Sequence, residues 1–446
     1  MTLTDNATAA PGVRIARARA ARAAVPADDH AEYPSPVRRA DPLRLLARQD
    51  RERVPGLLPV RYGRMAASPL AYFRGAALPA AADLALTPRT GFGVQACGDA
   101  QLANFGLFAD RGRRLVFDFA DFGETLPAPW EWDVKRLAAS CEVTGRENDH
   151  PAALRRRAVL AAVEAYRLAM HGFARRTSLD ILFAPADPRT LRVVAAHRLA
   201  SGQRRGQRGT ESRHGHLRPS VVPAGHLAGD GDPATLTDRL GGVLAQYRRT
   251  LGPARRALLD RYRLADAART VSGPSDAGTR CWVAVLVHPG TGDPLFLQLN
   301  EARPSVLQGY TGAAVPGGPG RRVVTGRRLI QATGDVFLGW ARTAGFDGRT
   351  GDFHVHRWRD DQTDGDVTTM TPDVLRAHAR LCGWTLARAH ARTGDALAIA
   401  AYLGSGPAFA EAVRKFAVAC ADQNERDHAA LRQAIRLGHV TAVAAP

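Results

Sequence analysis

With 446 residues, 45% of them hydrophobic and 23% charged, the chain is long enough for two core-forming lobes, and its composition excludes the fibrous and wholly disordered classes. Its cysteines (Cys97, Cys141, Cys281, Cys382, Cys420) stand far apart without a CxxC pair, which argues against a disulfide framework or zinc site and for a reducing, cytoplasmic setting. A net charge of +18 raises the question of a polyanion partner, but the basic residues are scattered and only Lys135 and Lys415 are lysines, as in Arg- and Ala-rich GC-biased coding, so nucleic-acid binding rests on charge alone.

In chain order, residues 1–40 carry Arg14, Arg17, Arg19 and Arg22 among alanines, lack the apolar core of a signal peptide, and read as a disordered basic tail. No apolar run reaches the roughly 18 residues of a membrane span. Helical spacing marks 41–53 and 57–65, with Pro55 and Gly56 between them; Ser68-Pro69 is an N-cap and first-turn proline for a helix to about 84. Arg64 and Arg74 in these helices read either as surface residues or as forks for phosphate or site carboxylates.

The stretch 97–124 is the centre of the sequence. Asp99, Asn104, Asp118 and Asp121 interrupt two runs, 92–97 and 114–119, that otherwise read as buried strands. In phosphoryl-transfer sites an Asp that accepts the substrate hydroxyl proton is followed by an Asn that holds metal, and a later Asp chelates the same ion. Asp99 and Asn104 have that order, and a hairpin through 109–112 predicts that Asp118 returns beside Asn104, an oxygen donor set suited to Mg2+. Asp and Asn are also the usual turn and cap residues, and that reading stands beside the first.

Pro129-Trp130-Glu131-Trp132 opens a helix with Val134, Leu137, Ala138 and Cys141 on one face and Asp133 and Lys135 pointing elsewhere; the tryptophans read as core anchors. Helices follow at 151–175 and 188–199. Residues 201–231 read as a loop whose Arg213, His214 and His216 lack partners at ligand spacing. A helix over 236–261 leads to strands at 267–271, 280–288 and 294–299, with the Gly-bearing loop 272–279 able to lay amides over phosphates. Further helices are expected at 321–344, 371–392 and 409–437, with a strand at 353–358. On the 371–392 helix Leu375, Ala379, Cys382, Leu386 and Ala389 form a core stripe; His390 with Asp395 is a candidate base or ligand, and the polar segment 422–428 is a candidate site cap.

The segments RYGRM (61–65), SPLAYFRGAA (68–77), CGDAQLANFG (97–106), VFDFADFGET (116–125), PWEWDVKRLAAS (129–140), NEARPSVL (300–307), CGWTLARAHARTGD (382–395) and ADQNERDH (421–428) resemble the DUF2252 family of bacterial proteins. The 97–119 block also resembles the GDxHxxN and IDF segments of aminoglycoside and choline phosphotransferases, which have the protein-kinase-like fold. Two departures stand out: Gln101 where the family usually has His, and Asn300 in a block where it usually has Lys.

These resemblances imply an α+β, protein-kinase-like fold, helix-rich with a small antiparallel sheet lobe. A circular permutation would reconcile catalytic loops that precede the nucleotide lobe. The expected organisation is a tail (1–40), a helical lobe with catalytic and metal loops (41–265), a nucleotide-covering sheet lobe (266–370) and C-terminal helices packing on the core (371–446). The function implied is transfer of phosphate from ATP or GTP, with Mg2+, to a small-molecule hydroxyl or amine. Asp99 is then the base; Asn104, Asp118 and Asp121 are metal ligands. Gly278, Thr279, Arg280, Asn300 and Glu301 bind nucleotide, and Arg74, Gln101 and Arg303 contact substrate or phosphate. A non-catalytic nucleotide-binding regulator is the alternative that Gln101 and Asn300 favour; nucleic-acid binding is third.

Overall fold

The apolar stripes of the longest helices meet in one core. In the computed structural model, Trp130–Glu147, Ala152–Phe173, Pro372–Thr393 and Ala408–Arg436 pack together, and the stripe Leu375, Ala379, Cys382, Leu386, Ala389 is buried among them. The structure describes residues 9–109, 115–206, 233–269, 278–332, 334–344, 350–358 and 366–443. Two short antiparallel pairs lie on this helical core: β1 (Gly93–Ala96) with β4 (Leu126–Pro129), and β2 (Phe105–Ala109) with β3 (Leu115–Phe119). The turn expected at 109–112 falls mostly outside the described residues. Strands β5 (Arg263–Arg269), β6 (Cys281–Val287), β7 (Pro294–Ala302), β8 (Gly339–Ala344) and β9 (Thr350–Arg357) form a second, antiparallel sheet in the order β5-β6-β7-β9-β8. Its alternate residues Leu295, Leu297 and Leu299 join Trp282, Phe353 and Val355 in a separate core closed by the helix Pro233–Arg249. The chain is thus α+β and helix-rich, with small antiparallel sheets.

Several sequence expectations change. The 68–84 helix breaks at Ala76 into Pro69–Gly75 and Ala77–Ala85, and the 236–261 helix becomes Pro233–Arg249 and Pro253–Leu259, since Pro253 cannot continue the first. The 321–344 helix stops at Ile330, where Asp335 turns its carboxylate onto the Phe337 and Arg357 amides and the chain enters β8. The helix Pro188–Gly206 runs into the segment read as loop, while residues 207–231, with Arg213, His214 and His216, lie outside the described residues.

The tail is the largest correction. Pro11–Ala24 is a helix packed on Ala396–Leu403, anchored by Arg14 on Asp395, with Arg14 Nε 2.9 Å from Oδ1. Further along, the Arg39 guanidinium lies 2.8 Å from both Asp83 and Asp427. Arginine spacing that looks like a solvated charge run instead supplies ion-pair anchors, because its partners are carboxylates 44, 381 and 388 residues away that no local pattern discloses. No single helix among the described residues is long and apolar enough to cross a membrane; one pair, Ala396–Leu403 and Ala408–Arg436, bent by 86°, passes by length and composition, and its apolar residues lie in the helical core.

The Trp130–Glu147 helix is buried on every face, so Asp133 and Lys135 point into protein rather than away from it. Trp130 stacks on Tyr166 with 5.6 Å between ring centroids, as a core anchor should. Lys135 Nζ has no hydrogen-bond partner, sits 4.9 Å from the Phe416 ring centre, and is pushed down to about 8 by burial, against the pull of Glu131 and Glu32. Between pH 8 and 10.5 the unfolded chain therefore holds a proton at this site that the folded chain has lost, and native stability rises with pH. Measured against Lys135→Met, the parent protein should gain roughly 3 kcal/mol across that window. Urea-unfolding curves taken from pH 7.5 to 10.5 check this, and parallel pH dependences of the two proteins would refute it.

Candidate functional site

The loop after β1 is held by one polar stripe of the Trp130–Glu147 helix. Asp133, Arg136 and Ser140 follow the i, i+3, i+7 spacing of a single helix face. The Asp133 carboxylate accepts from the Cys97 and Gly98 amides at 2.8 and 3.0 Å, Arg136 Nε donates to Asp99 Oδ1 at 2.9 Å, and Ser140 Oγ accepts from the Leu102 amide at 3.1 Å. Gly98 has φ +87°, and a Cβ there would meet the Glu124 carbonyl oxygen at 2.3 Å, so only glycine lets this loop lie against the turn between β3 and β4 that carries the acidic segment.

On that loop Asp99 and Asn104 come together. Asn104 Nδ2 donates to the Asp99 carbonyl at 2.9 Å and to its Oδ2 at 3.2 Å, while Gln101 Nε2 donates to the same Oδ2 at 2.7 Å. With its nitrogen committed to Asp99, the Asn104 amide has its oxygen, a hard donor, left for another partner. Gln101 thus orients the carboxylate from two residues away.

Asp118 does not join them. It is fully buried, Oδ1 accepts from the Phe119 amide at 3.0 Å and lies 3.2 Å from Arg388 Nη2, and Oδ2 accepts from the Ala332 amide at 2.6 Å. The physical reason is register: Asp118 pairs with Gly106 in the β2–β3 ladder, and alternation sends its side chain opposite to Phe117 and Phe119, which pack with Phe105. The return to the Asp99 side comes after the ladder ends. Asp121 Oδ1 accepts from the Gly123 amide at 2.8 Å, and Glu124 Oε2 accepts from the Val306 amide at 2.7 Å. Burial pushes the Glu124 carboxyl up, Arg322 and the Val306 amide oppose this, and the nearby Asp99 and Asp121 charges add to it, so the three carboxylates share one neighbourhood. Among the described residues no group of three or more His, Cys, Asp or Glu side chains forms a metal cage. Mg2+ asks for less, since it binds through one or two carboxylates with water and substrate phosphates completing its shell, and Asp99, Asn104 and Asp121 carry the hard oxygen donors that such an ion takes.

The residues expected to bind nucleotide separate onto two faces of the sheet. Asn300 shares one face with Gln298, His354 and His356: its Oδ1 accepts from Gln298 Nε2 at 3.1 Å and from the Cys281 thiol, and its Nδ2 lies 3.2 Å from His354 Nε2. Burial holds the His354 imidazole far below its ordinary range, helped by His356, Arg327 and Arg322, which keeps that ring neutral. Glu301 points to the other face, where Arg280 Nη1 reaches Oε1 at 2.9 Å and Arg303 Nη2 reaches Oε2 at 3.2 Å. Gly278, at φ +90°, accepts through its carbonyl from the Val54 amide and from Arg303 Nη2, tying the sheet to the first helices; Thr279 follows it. Residues 272–277 of the expected phosphate-covering loop, with the last two of the expected strand before it, lie outside the described residues. Arg74 is half-buried at the end of Pro69–Gly75.

His390 and Asp395 do not pair. His390 lies 3.2 Å from Asp133 and 2.9 Å from Tyr166, and Asp395 holds Arg14. In the 422–428 segment, Asn424 donates to the Pro69 carbonyl, Asp427 binds Arg39 and His428 contacts the Ala66 carbonyl, so it locks the first helices onto the core. Sequence reasoning missed Arg136, Glu124 and Arg322; the polar 133–136–140 spacing within an otherwise apolar helix was the available signal for Arg136. Arg322 donates to the Gly123, Thr125 and Arg303 carbonyls at 2.6 to 2.8 Å, stapling the acidic segment to the end of β7.

The family model described as an uncharacterized protein conserved in bacteria, DUF2252, matches residues 53–434. No curated protein and no solved structure is detectably similar to the chain.

Proposed function

The chain belongs to the DUF2252 family, and from that footing we propose that it is a Mg2+-dependent phosphotransferase that moves phosphate from ATP or GTP to a small-molecule hydroxyl or amine. The observation that carries the reading is the bond from Asn104 Nδ2 to both the Asp99 carbonyl and its carboxylate, which links a base and a metal-binding amide on one loop. Asp99 would take the acceptor's proton, oriented by Gln101 and Arg136. Asn104 and Asp121 would hold Mg2+, in place of the Asn104–Asp118 pair; the Asp121-Phe122-Gly123 sequence has the form of the metal-holding segment in protein kinases. The ion's contribution there is neutralisation of charge on the phosphate oxygens. Gly278, Thr279, Arg280, Asn300 and Glu301 belong to the lobe assigned to the nucleotide, with Arg74 and Arg303 as phosphate or substrate contacts.

A second reading, a nucleotide-binding regulator without turnover, has its own support. Both Asp99 oxygens are already engaged, Oδ1 by Arg136 and Oδ2 by Gln101 and Asn104, and the Asn300 amide is taken up by its neighbours on the sheet. Thermal unfolding with ATP or GTP, with and without Mg2+, followed by an assay of nucleoside-diphosphate release against acceptor panels, tests both. A ligand bound to the folded state alone at 100 times its dissociation constant adds about 2.7 kcal/mol, and Mg2+ and nucleotide together should stabilise where neither does alone. No stabilisation by any pair removes both readings; stabilisation without turnover leaves the regulator.

A further inference from the structure

One helix near the end of the chain grips the Asp99 loop at three places. In Pro372–Thr393, Thr393 Oγ1 accepts from the Gln95 amide at 3.0 Å, His390 Nε2 lies 3.2 Å from Asp133 Oδ2, and His378 Nε2 donates to the Leu102 carbonyl at 3.0 Å. The loop is therefore held at its entry and its exit by residues 298 and 276 positions later, and at its turn through a carboxylate. That carboxylate, Asp133, is buried together with His390 and Tyr166. Among the described residues three donors surround it: the Cys97 and Gly98 amides at 2.8 and 3.0 Å, and the His390 ring. An enclosed carboxylate depends on each of its donors, because water cannot replace a lost one.

The far side of the His390 ring fixes where its hydrogen sits. Tyr166 Oη lies 2.9 Å from His390 Nδ1, and burial, with Glu131 and Asp133 nearby, pushes the phenol far up, so it keeps its proton. Nδ1 is the acceptor that this O–H has among the described residues, so Nδ1 presents a lone pair and the ring hydrogen is on Nε2, facing Asp133. Tyr166 is held in turn by its stack on Trp130, with ring planes 4° apart. We infer that His390 is a positioning residue for the Asp99 loop: its Nε2–H, kept in that tautomer by Tyr166, steadies the Asp133 carboxylate from which the Cys97 and Gly98 amides hang, and so sets the direction in which the chain enters Asp99. Gly98 makes such an outside support necessary, since a glycine at φ +87° has wide backbone freedom and no side chain to hold the turn. The effect on turnover rests on the phosphotransferase reading; the effect on the loop does not.

Asn and Gln at this position separate the two ends of the ring. A Gln amide nitrogen reaches the place of Nε2 and still donates to Asp133, whereas an Asn amide reaches only the place of Nδ1 and serves Tyr166 alone. Amide hydrogen exchange is measured on the full chain at Cys97 and Gly98, with Val413 and Ala417 in the buried face of Ala408–Arg436 as reference. Relative to that reference, exchange at the two loop amides should rise about ten- to a hundredfold in His390→Asn, the factor carried by one hydrogen bond to a charged group, and stay within about threefold of the parent in His390→Gln. Leu386→Ala, a buried change on the same helix that leaves these hydrogen bonds in place, controls for lost stability and should move loop and reference amides together. In a turnover assay with Mg2+ and ATP, His390→Asn should lower kcat by about ten- to a hundredfold with KM for nucleotide within about threefold, and His390→Gln should recover most of the loss. If His390→Asn does not fold, Tyr166→Phe takes its place: without the hydroxyl the ring is released, and loop exchange should rise above that of the reference. Equal loop exchange in the Asn and Gln variants, or a loop response no larger than that of Leu386→Ala, overturns the inference. A parent protein without turnover removes the phosphotransferase reading, and exchange alone then decides the role of His390.

Discussion

Asp118→Asn should cost the protein about 3–5 kcal/mol of stability, the penalty for breaking a buried ion pair from one side. The carboxylate is wholly enclosed, and the Arg388 guanidinium it faces is itself buried, so a neutral amide leaves that charge uncompensated. The Asn side chain would also turn a donor toward one of the amides of Phe119 and Ala332 that now donate to Asp118. Asp121→Asn, at a half-buried position, should leave stability within about 0.5 kcal/mol and instead remove stabilisation by Mg2+ with nucleotide. Urea unfolding of the two variants beside the parent, each with and without Mg2+ and ATP, separates these outcomes. An Asp118→Asn protein as stable as the parent would show that Arg388 needs no counter-charge, and the structural role assigned to Asp118 would be withdrawn.

Asp99→Asn has the larger effect on activity. If Asp99 takes the acceptor's proton, turnover should fall by a factor of about 10²–10⁴, the usual worth of a positioned general base, while nucleotide affinity changes by less than threefold. The amide oxygen can accept from Arg136, but the new NH2 faces the Gln101 and Asn104 donors and the buried Arg136 loses its counter-charge, so the variant is also destabilised and its turnover is compared only under conditions where urea unfolding shows it folded. Nucleotide titration and product release measured on one preparation separate the two parameters. Turnover retained within tenfold would assign Asp99 to holding the loop rather than to chemistry.

How far each feature was legible in the sequence depended on the range of the interaction behind it. Helices defined by caps and stripes were legible: Ser68 accepts from the Ala71 amide, Thr371 caps Pro372–Thr393, and the Leu375–Ala389 stripe faces the core. The Asp99–Asn104 contact was legible because both residues sit on one short loop. Asp118 was not, because spacing places a residue on a hairpin without saying which face its side chain takes, and the flanking phenylalanines claimed the core face. The same limit hid the division of Asn300 from Glu301, adjacent residues that alternation sends to opposite sides of β7. Lys135 read only as lying off the apolar face, and its burial was not legible because a helix surrounded on all sides need not be apolar on all sides when a carboxylate and an aromatic ring are at hand. The arginines of the first forty residues carried no local sign of their partners at Asp83, Asp395 and Asp427.

Those early arginines have a consequence for how the molecule is made. The helix Pro11–Ala24 is among the first parts of the described chain to leave the ribosome, yet Asp395, which anchors Arg14, follows 381 residues later. At roughly 5–20 residues per second, that separation keeps the helix without its native docking surface for roughly 20–80 s. Its alanines and arginines suit the wait, being soluble, helix-favouring and poor in the branched apolar residues that promote strand aggregation. Docking of Pro11–Ala24 is therefore a late event in biogenesis, and in a chain that stalls before the Ala396–Leu403 helix emerges the arginines of this segment should be cut by trypsin faster than in the finished protein, where docking holds the helix in place.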